Sequence, residues 1–214
     1  MLDAICDVLK FAYKRKWIST RDGNVSYRRF GNDYFYVTPS GVKKHHLNSE
    51  MIIKLTLPDL QRINDEDTGG HQKNISGLNP TGELHLHYLL QKKIPGNRIV
   101  LHLHPTYIIA AMYAGLDLQK LSNEFPEINR YTKVGPNVPV VPPISKDLAE
   151  ASVKALGWNE ETGEVEFNIV GLDRHGIIAV DKDAWSALQH CERLEHICQI
   201  VLASGNFKNL MKSE

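Results

Sequence analysis

Cysteine is scarce in this 214-residue chain, which has three, at Cys6, Cys191 and Cys198. They are odd in number and none forms a C-x-x-C pair, so a disulfide framework does not fit and the usage points to a reducing compartment. Cys191 and Cys198 lie seven apart beside Leu188, Leu194 and Val201, the pattern of core thiols on a helix rather than of metal ligands. Net charge is missing too. Lys and Arg total 25, Asp and Glu total 25, and the basic residues are scattered, which argues against a nucleic-acid or anionic-membrane partner. The longest mostly apolar run, Ile99 to Ala114, is broken by His102, His104 and Pro105 and falls short of the roughly 20 residues a spanning helix needs. Met1 to Lys16 interleaves Asp3, Asp7, Lys10 and Lys14 with its apolar residues, so no export signal forms, and a cytoplasmic protein is expected.

With 42% hydrophobic residues the chain can bury a core, and without repeats or low-complexity linkers it reads as one domain over residues 1–214. Leu2, Ile5, Leu9, Ala12 and Tyr13 recur at helical spacing and predict a first helix ending near Trp17. Val25 to Tyr27 and Tyr34 to Thr38 read as a hairpin around Gly31-Asn32-Asp33, and Met51 to Leu57 as a third strand. Asn64 to Gly70 has the composition of a loop or hairpin tip, and a helix is expected over Glu83 to Lys93, with Thr81 capping it. Further along come a buried strand, Arg98 to His104, and a helix, Tyr107 to Ala114. Lys133 to Pro143, with four prolines among valines, suits an edge or a crossing loop. A helix (Lys146 to Leu156), two strands (Val165 to Leu172, Ile177 to Val180) and a long helix (Asp183 to about Ala203) complete the chain. Hairpins mixed with helices, without regular βαβ alternation, predict an α/β fold of the α+β kind: one layered domain, its mixed, mainly antiparallel central sheet flanked by helices.

The most informative stretch is Val100-Leu101-His102-Leu103-His104-Pro105-Thr106. Residues two apart in a strand share a face, so His102 and His104 present two imidazoles to one side. Lone histidines on apolar strands are usually satisfied core residues. Two on one face need a metal or an acid for satisfaction, which makes a divalent-metal site a serious reading. His175, between two strands and beside Gly176, is a candidate third ligand, and Glu83, at a helix start, a fourth. His87, one turn later, is placed to brace the Glu83 carboxylate, while His85 faces elsewhere. Asp22-Gly23-Asn24-Val25-Ser26 and Thr38-Pro39-Ser40-Gly41 have phosphate-cradle character, though such residues also make ordinary turns.

Taken together these motifs resemble the class II aldolase/adducin family over nearly the whole chain. Gly23-Asn24-Val25-Ser26 is similar to its G-N-[VIL]-S turn and Thr38-Pro39-Ser40-Gly41 to its T-P-[ST]-G turn. Pro80-Thr81-Gly82-Glu83 with His87 is similar to its P-[ST]-[ST]-E segment, His102-Leu103-His104 to its H-x-H, and His175-Gly176 to its late H-G. The resemblance implies Zn2+ or another divalent metal on His102, His104 and His175. It implies that Glu83 is both a resting ligand and the base, and that Gly23, Asn24, Ser40, Gly41, Thr81 and Gly82 surround the phosphate of a sugar-phosphate substrate. It further implies a homotetramer with sites at subunit boundaries and cleavage of a ketose 1-phosphate to dihydroxyacetone phosphate and an aldehyde. The alternatives are a pentulose-phosphate 4-epimerase, disfavoured because its Asp is replaced by Glu83, and a non-catalytic adducin-like module, disfavoured by the three retained histidines. Two departures stand out. Gly82 replaces a hydroxyl residue, and the tail Phe207 to Glu214 has no tyrosine to act as proton donor. Glu124 and Glu127 lie where rhamnulose-type members place an extra acid, although a solvated loop is the simpler expectation there.

Overall fold

The computed structural model describes residues 1–63, 77–94, 96 and 99–212, so the loop expected over Asn64 to Gly70 lies outside the described residues. Among the described residues six strands form one sheet in the order β3-β2-β1-β4-β6-β5: β1 (Asn24–Tyr27), β2 (Tyr34–Val37), β3 (Ile53–Thr56), β4 (Ile99–Leu103), β5 (Ile169–Leu172) and β6 (Gly176–Asp181). Every strand pair is antiparallel. The mixed character expected of the sheet survives in the Pro-rich segment, where Val134 and Val138 form parallel bridges to Ile169 and Leu172 at the β5 edge. Gly135 and Val138 donate their N–H groups there, while Pro136 and Pro139, which have none, fall beside them.

β4 is central and wholly buried, and its alternation sorts the two layers. Ile99, Leu101 and Leu103 join the cluster formed with α1 (Leu2–Lys14), α3 (Thr106–Tyr113) and α7 (Ala184–Ser204). Val100 faces the opposite cluster, with Leu86 and Leu90 of α2 (Leu84–Lys93) and Leu148 and Val153 of α6 (Lys146–Ala155). Each such fully buried aliphatic side chain contributes about 1.5–3 kcal/mol by leaving water. His102 shares the Val100 face. Its neighbour across β1 is Asn24, and Ser26 sits opposite Val100, so these four side chains form one patch beneath α2.

Several expected boundaries shift. The strand expected from Met51 begins at Ile53, because Ser49–Met51 closes a 3-10 turn first. The strand expected from Val165 begins at Ile169: Glu166 and Phe167 instead donate their N–H groups to Leu156 at the end of α6. Residues 118–131 contain two short helices that the sequence analysis did not name, α4 (Leu118–Asn123) and α5 (Pro126–Tyr131). Asp117 caps α4 by accepting from the N–H groups of Gln119 and Lys120, and Pro126 opens α5. Glu124 and Glu127 therefore lie at a helix end and in a helical first turn, not in an open loop. Among the described residues no helix is long and apolar enough to cross a membrane, and Cys6, Cys191 and Cys198 are free and buried.

Candidate active site

Two turns are tied together at the rim. Pro39 and Pro80 form an antiparallel bridge, Ser40 N–H donates to Asn79 O (2.8 Å), and Thr81 N–H donates to Thr38 O (3.1 Å). Thr38 also accepts from Val25 N–H through Oγ1 (3.1 Å), which joins both turns to β1. Between them lies a cavity of about 270 Å³ bordered by the ten residues that the resemblance assigns to metal and phosphate: Gly23, Asn24, Ser40, Gly41, Thr81, Gly82, Glu83, His102, His104 and His175. Asp22 and Pro39 of the two cradle turns also border it, as do Arg21, Lys44, Pro143 and Ile144, which were not anticipated as site residues. Two roomier cavities against α7 contain none of the three histidines, and Glu127 lines one of them rather than this site.

The histidines converge. His102, His104 and His175 offer ligand atoms within 4.8 Å of one another. His102 donates Nδ1–H to Ile177 O (2.9 Å), which leaves its Nε2 lone pair facing the group, 2.8 Å from His104 Nε2. Two imidazole nitrogens this close need a shared proton or a shared cation between them. Burial lowers the pKa of all three rings, His175 to about 4, so they are neutral and ready to donate lone pairs at neutral pH. The turn carrying His175 depends on Gly176: a Cβ there would stand 2.2 Å from Leu103 O and 2.8 Å from His104 Cδ2. Only glycine lets β6 start this close to the end of β4.

Glu83 sits just before α2, and its side chain makes no cap hydrogen bond. Thr81 does not cap the helix either; its Oγ1 accepts from Glu83 N–H (3.4 Å) and so closes the preceding turn. The Glu83 carboxylate instead faces the histidines, with Oε2 3.3 Å from His102 Nε2 and Oε1 3.3 Å from His175 Nε2. Oε2 is buried without a hydrogen-bond partner, and burial pushes the Glu83 pKa up to about 7. Three neutral imidazoles and one desolvated carboxylate form a donor set suited to a divalent cation.

His87 does not brace Glu83. It is fully buried and contacts Asn24 and Ser26, which the sheet register places directly under α2. Asn24 Oδ1 can only accept, so His87 Nε2–H must donate to it. Nδ1 then accepts from Ser26 Oγ–H (2.8 Å), and Ser26 Oγ accepts from Gln91 Nε2–H (2.8 Å). With its oxygen engaged, Asn24 keeps its NH2 group for the cavity. His85 is exposed, as expected. Burial lowers the His87 pKa to about 3, while the unfolded chain binds a proton near 6.5. Stability linked to His87 is therefore fully present above about 6.5 and lost as pH falls towards about 3. The thermal midpoint of the metal-free protein is expected to drop as pH falls from 7 to 5, and a His87→Gln variant to show a shallower drop. An unchanged slope in the variant would contradict the assignment of a neutral, donating imidazole.

A six-stranded antiparallel sheet with helices on both faces, holding three convergent histidines and a carboxylate at the end of its central strand, defines the class. Residues 3–202 match the model of the class II aldolase and adducin N-terminal domain, and the chain belongs to that family. Among curated relatives, an L-fuculose phosphate aldolase of Methanococcus maripaludis is 30% identical over 204 residues, covering 95% of this chain and 96% of the relative. A 3-oxo-tetronate 4-phosphate decarboxylase of Pectobacterium atrosepticum is 25% identical, covering 92% of this chain and 81% of the relative. A methylthioribulose-1-phosphate dehydratase of Leptospira borgpetersenii is also 25% identical, covering 92% and 80%. The solved L-fuculose-1-phosphate aldolase of Thermus thermophilus superposes with a TM-score of 0.72 at 23% identity over 96% of this chain and 95% of that one. The family is typically dependent on a divalent metal, and the three histidines supply a group that could bind one.

Proposed function

We propose that the protein is a zinc-dependent class II aldolase that reversibly cleaves a ketose 1-phosphate to dihydroxyacetone phosphate and an aldehyde. The observation that carries this reading is the desolvated Glu83 carboxylate, its Oε2 unpartnered among three neutral imidazoles beneath a rim of small residues. In it, His102, His104 and His175 would hold the metal, with Glu83 beside them as a further ligand that is freed for proton transfer. When bound, the metal supplies Lewis-acid polarisation of the ketose oxygens, which lowers the cost of negative charge next to the carbonyl. Glu83, once free, moves the proton of the substrate hydroxyl or carbon through a carboxylate oxygen. N–H groups of Gly23 and Gly41 and the Ser40 hydroxyl, with Thr81, Gly82 and the Asn24 NH2 group, orient the phosphate and exclude water. The decarboxylase and dehydratase names among the relatives describe other reactions of phosphorylated small molecules, so the reaction type is what the first experiment must separate. A homotetramer with sites at subunit boundaries, implied by the family resemblance, would allow a second copy to furnish the acid for the aldehyde. Free, buried cysteines support a cytoplasmic setting.

The test is a panel of ketose 1-phosphates, including L-fuculose and L-rhamnulose 1-phosphates, incubated with zinc-loaded protein and scored for dihydroxyacetone phosphate. At least one is expected to release dihydroxyacetone phosphate and aldehyde in equal amounts. Silence across the panel, with loss of carbon dioxide from a phosphorylated oxo acid or of water from a ketose phosphate, would move the assignment to another reaction of the family.

A further inference from the structure

The covered side chain of Lys44 has no hydrogen-bond or ion-pair partner among the described residues. Lys44 opens a short 3-10 turn, Lys44–His46, held by its N–H donation to Thr20 O (2.8 Å). It is 1% exposed and borders the same cavity as Ser40, Gly41, Thr81 and Gly82. Its ammonium group makes no hydrogen bond and no ion pair with any described residue; the carboxylate of Asp22, exposed at the rim, acts on it through space. Desolvation pulls its pKa down to about 8. A lysine this covered, its ammonium unpaired among the described residues, costs folding free energy, which is hard to account for unless an anion completes it.

The departure at position 82 supplies the complement. The family resemblance calls for a hydroxyl side chain before Glu83, and Gly82 has none. A Cβ at Gly82 would already stand 3.3 Å from Ile144 Cδ1, so Ile144 crowds the space that such a side chain would enter. The cradle has thus lost a neutral donor on one wall, while a cation borders the same cavity.

We propose that Lys44 is the phosphate-binding cation of this site, its ammonium anchoring the dianion in place of the hydroxyl missing at Gly82. The assignment rests on the sugar-phosphate reading and extends it: the cavity selects its ligand by charge as well as by N–H groups. Hydrogen bonds to a charged group are stronger than neutral ones, and removing this one is expected to cost about 10- to 100-fold in affinity.

The experiment titrates inorganic phosphate, dihydroxyacetone phosphate and uncharged dihydroxyacetone into zinc-loaded wild type, Lys44→Met and Lys44→Arg. The expected result is that Lys44→Met weakens both phosphates about 10- to 100-fold, that Lys44→Arg retains most of the affinity, and that dihydroxyacetone binds all three alike. In phosphate-free buffer Lys44→Met is expected to melt no lower than wild type, because a buried charge has been replaced by an apolar chain of similar length. Wild-type phosphate affinity in Lys44→Met would overturn this assignment and leave the sugar-phosphate reading standing. So would a lower melting point with equal loss of dihydroxyacetone, the mark of a purely structural lysine. Failure of wild type itself to bind either phosphate would overturn both.

Discussion

Glu83→Gln is expected to lower turnover of a confirmed ketose phosphate by about 10² to 10⁴ while fold and metal content stay largely unchanged. The side chain is buried, spends neither oxygen on the helix N-terminus, and points both at histidines. In the metal-free chain its pKa is raised to about 7 by burial. A cation held by the three imidazoles would add an opposing Coulombic effect that favours the carboxylate form, so Glu83 is expected to be ionised at neutral pH with metal bound. Glutamine keeps the shape and loses the basic oxygen. The check is kcat for variant and wild type, each with its metal measured. Near-wild-type turnover would reduce Glu83 to a structural ligand and transfer the base role to another group.

Removing the metal is expected to have an effect at least as large. Chelation should lower turnover by about 10³ or more, since Lewis-acid stabilisation is worth several kcal/mol and each 1.36 kcal/mol is tenfold. Stoichiometric zinc should restore it. His102→Ala should not be restored by the same zinc, because His102 is 1% exposed, oriented by Ile177 O, and in contact distance of both His104 and Glu83. Activity that persists after chelation, with metal analysis showing none bound, would contradict the donor-set assignment. The readout pairs turnover with metal stoichiometry, so loss of metal and loss of fold can be told apart by circular dichroism.

Much of this arrangement was legible in the chain because it is written in local patterns. His102 and His104 share a face by strand alternation alone, and Gly176 marks a close approach that the structure places against Leu103 O. The turns at Gly23 and Ser40 carry their own signatures, and their coming together follows from strands that the hairpin pattern already suggested. What was not legible depends on partners distant in sequence. His87 is one helical turn from Glu83, and only the register of β1 against β4 shows that Asn24 and Ser26 lie closer to its ring. Lys44, in Lys43-Lys44-His45-His46, has the composition of a solvated turn; nothing in those residues reveals that its side chain is covered. The helices over residues 118–131 were signalled by Asp117 and Pro126 but are too short to show an apolar period.

Proton transfer by Glu83, working with a metal on His102, His104 and His175, at the carbon next to a phosphorylated ketone is the step proposed for this site. It can be tested without knowing the aldehyde. Cleavage of the ketose would leave the enediolate of dihydroxyacetone phosphate for Glu83 to protonate, so the reverse step would exchange a C–H hydrogen of dihydroxyacetone phosphate with solvent. The measurement is proton NMR of dihydroxyacetone phosphate in D2O with zinc-loaded protein. Loss of one of the two hydroxymethyl hydrogens with wild type, and a rate at least 10²-fold lower with metal-loaded Glu83→Gln, is the predicted result. No exchange with wild type, or undiminished exchange with the variant, would contradict it.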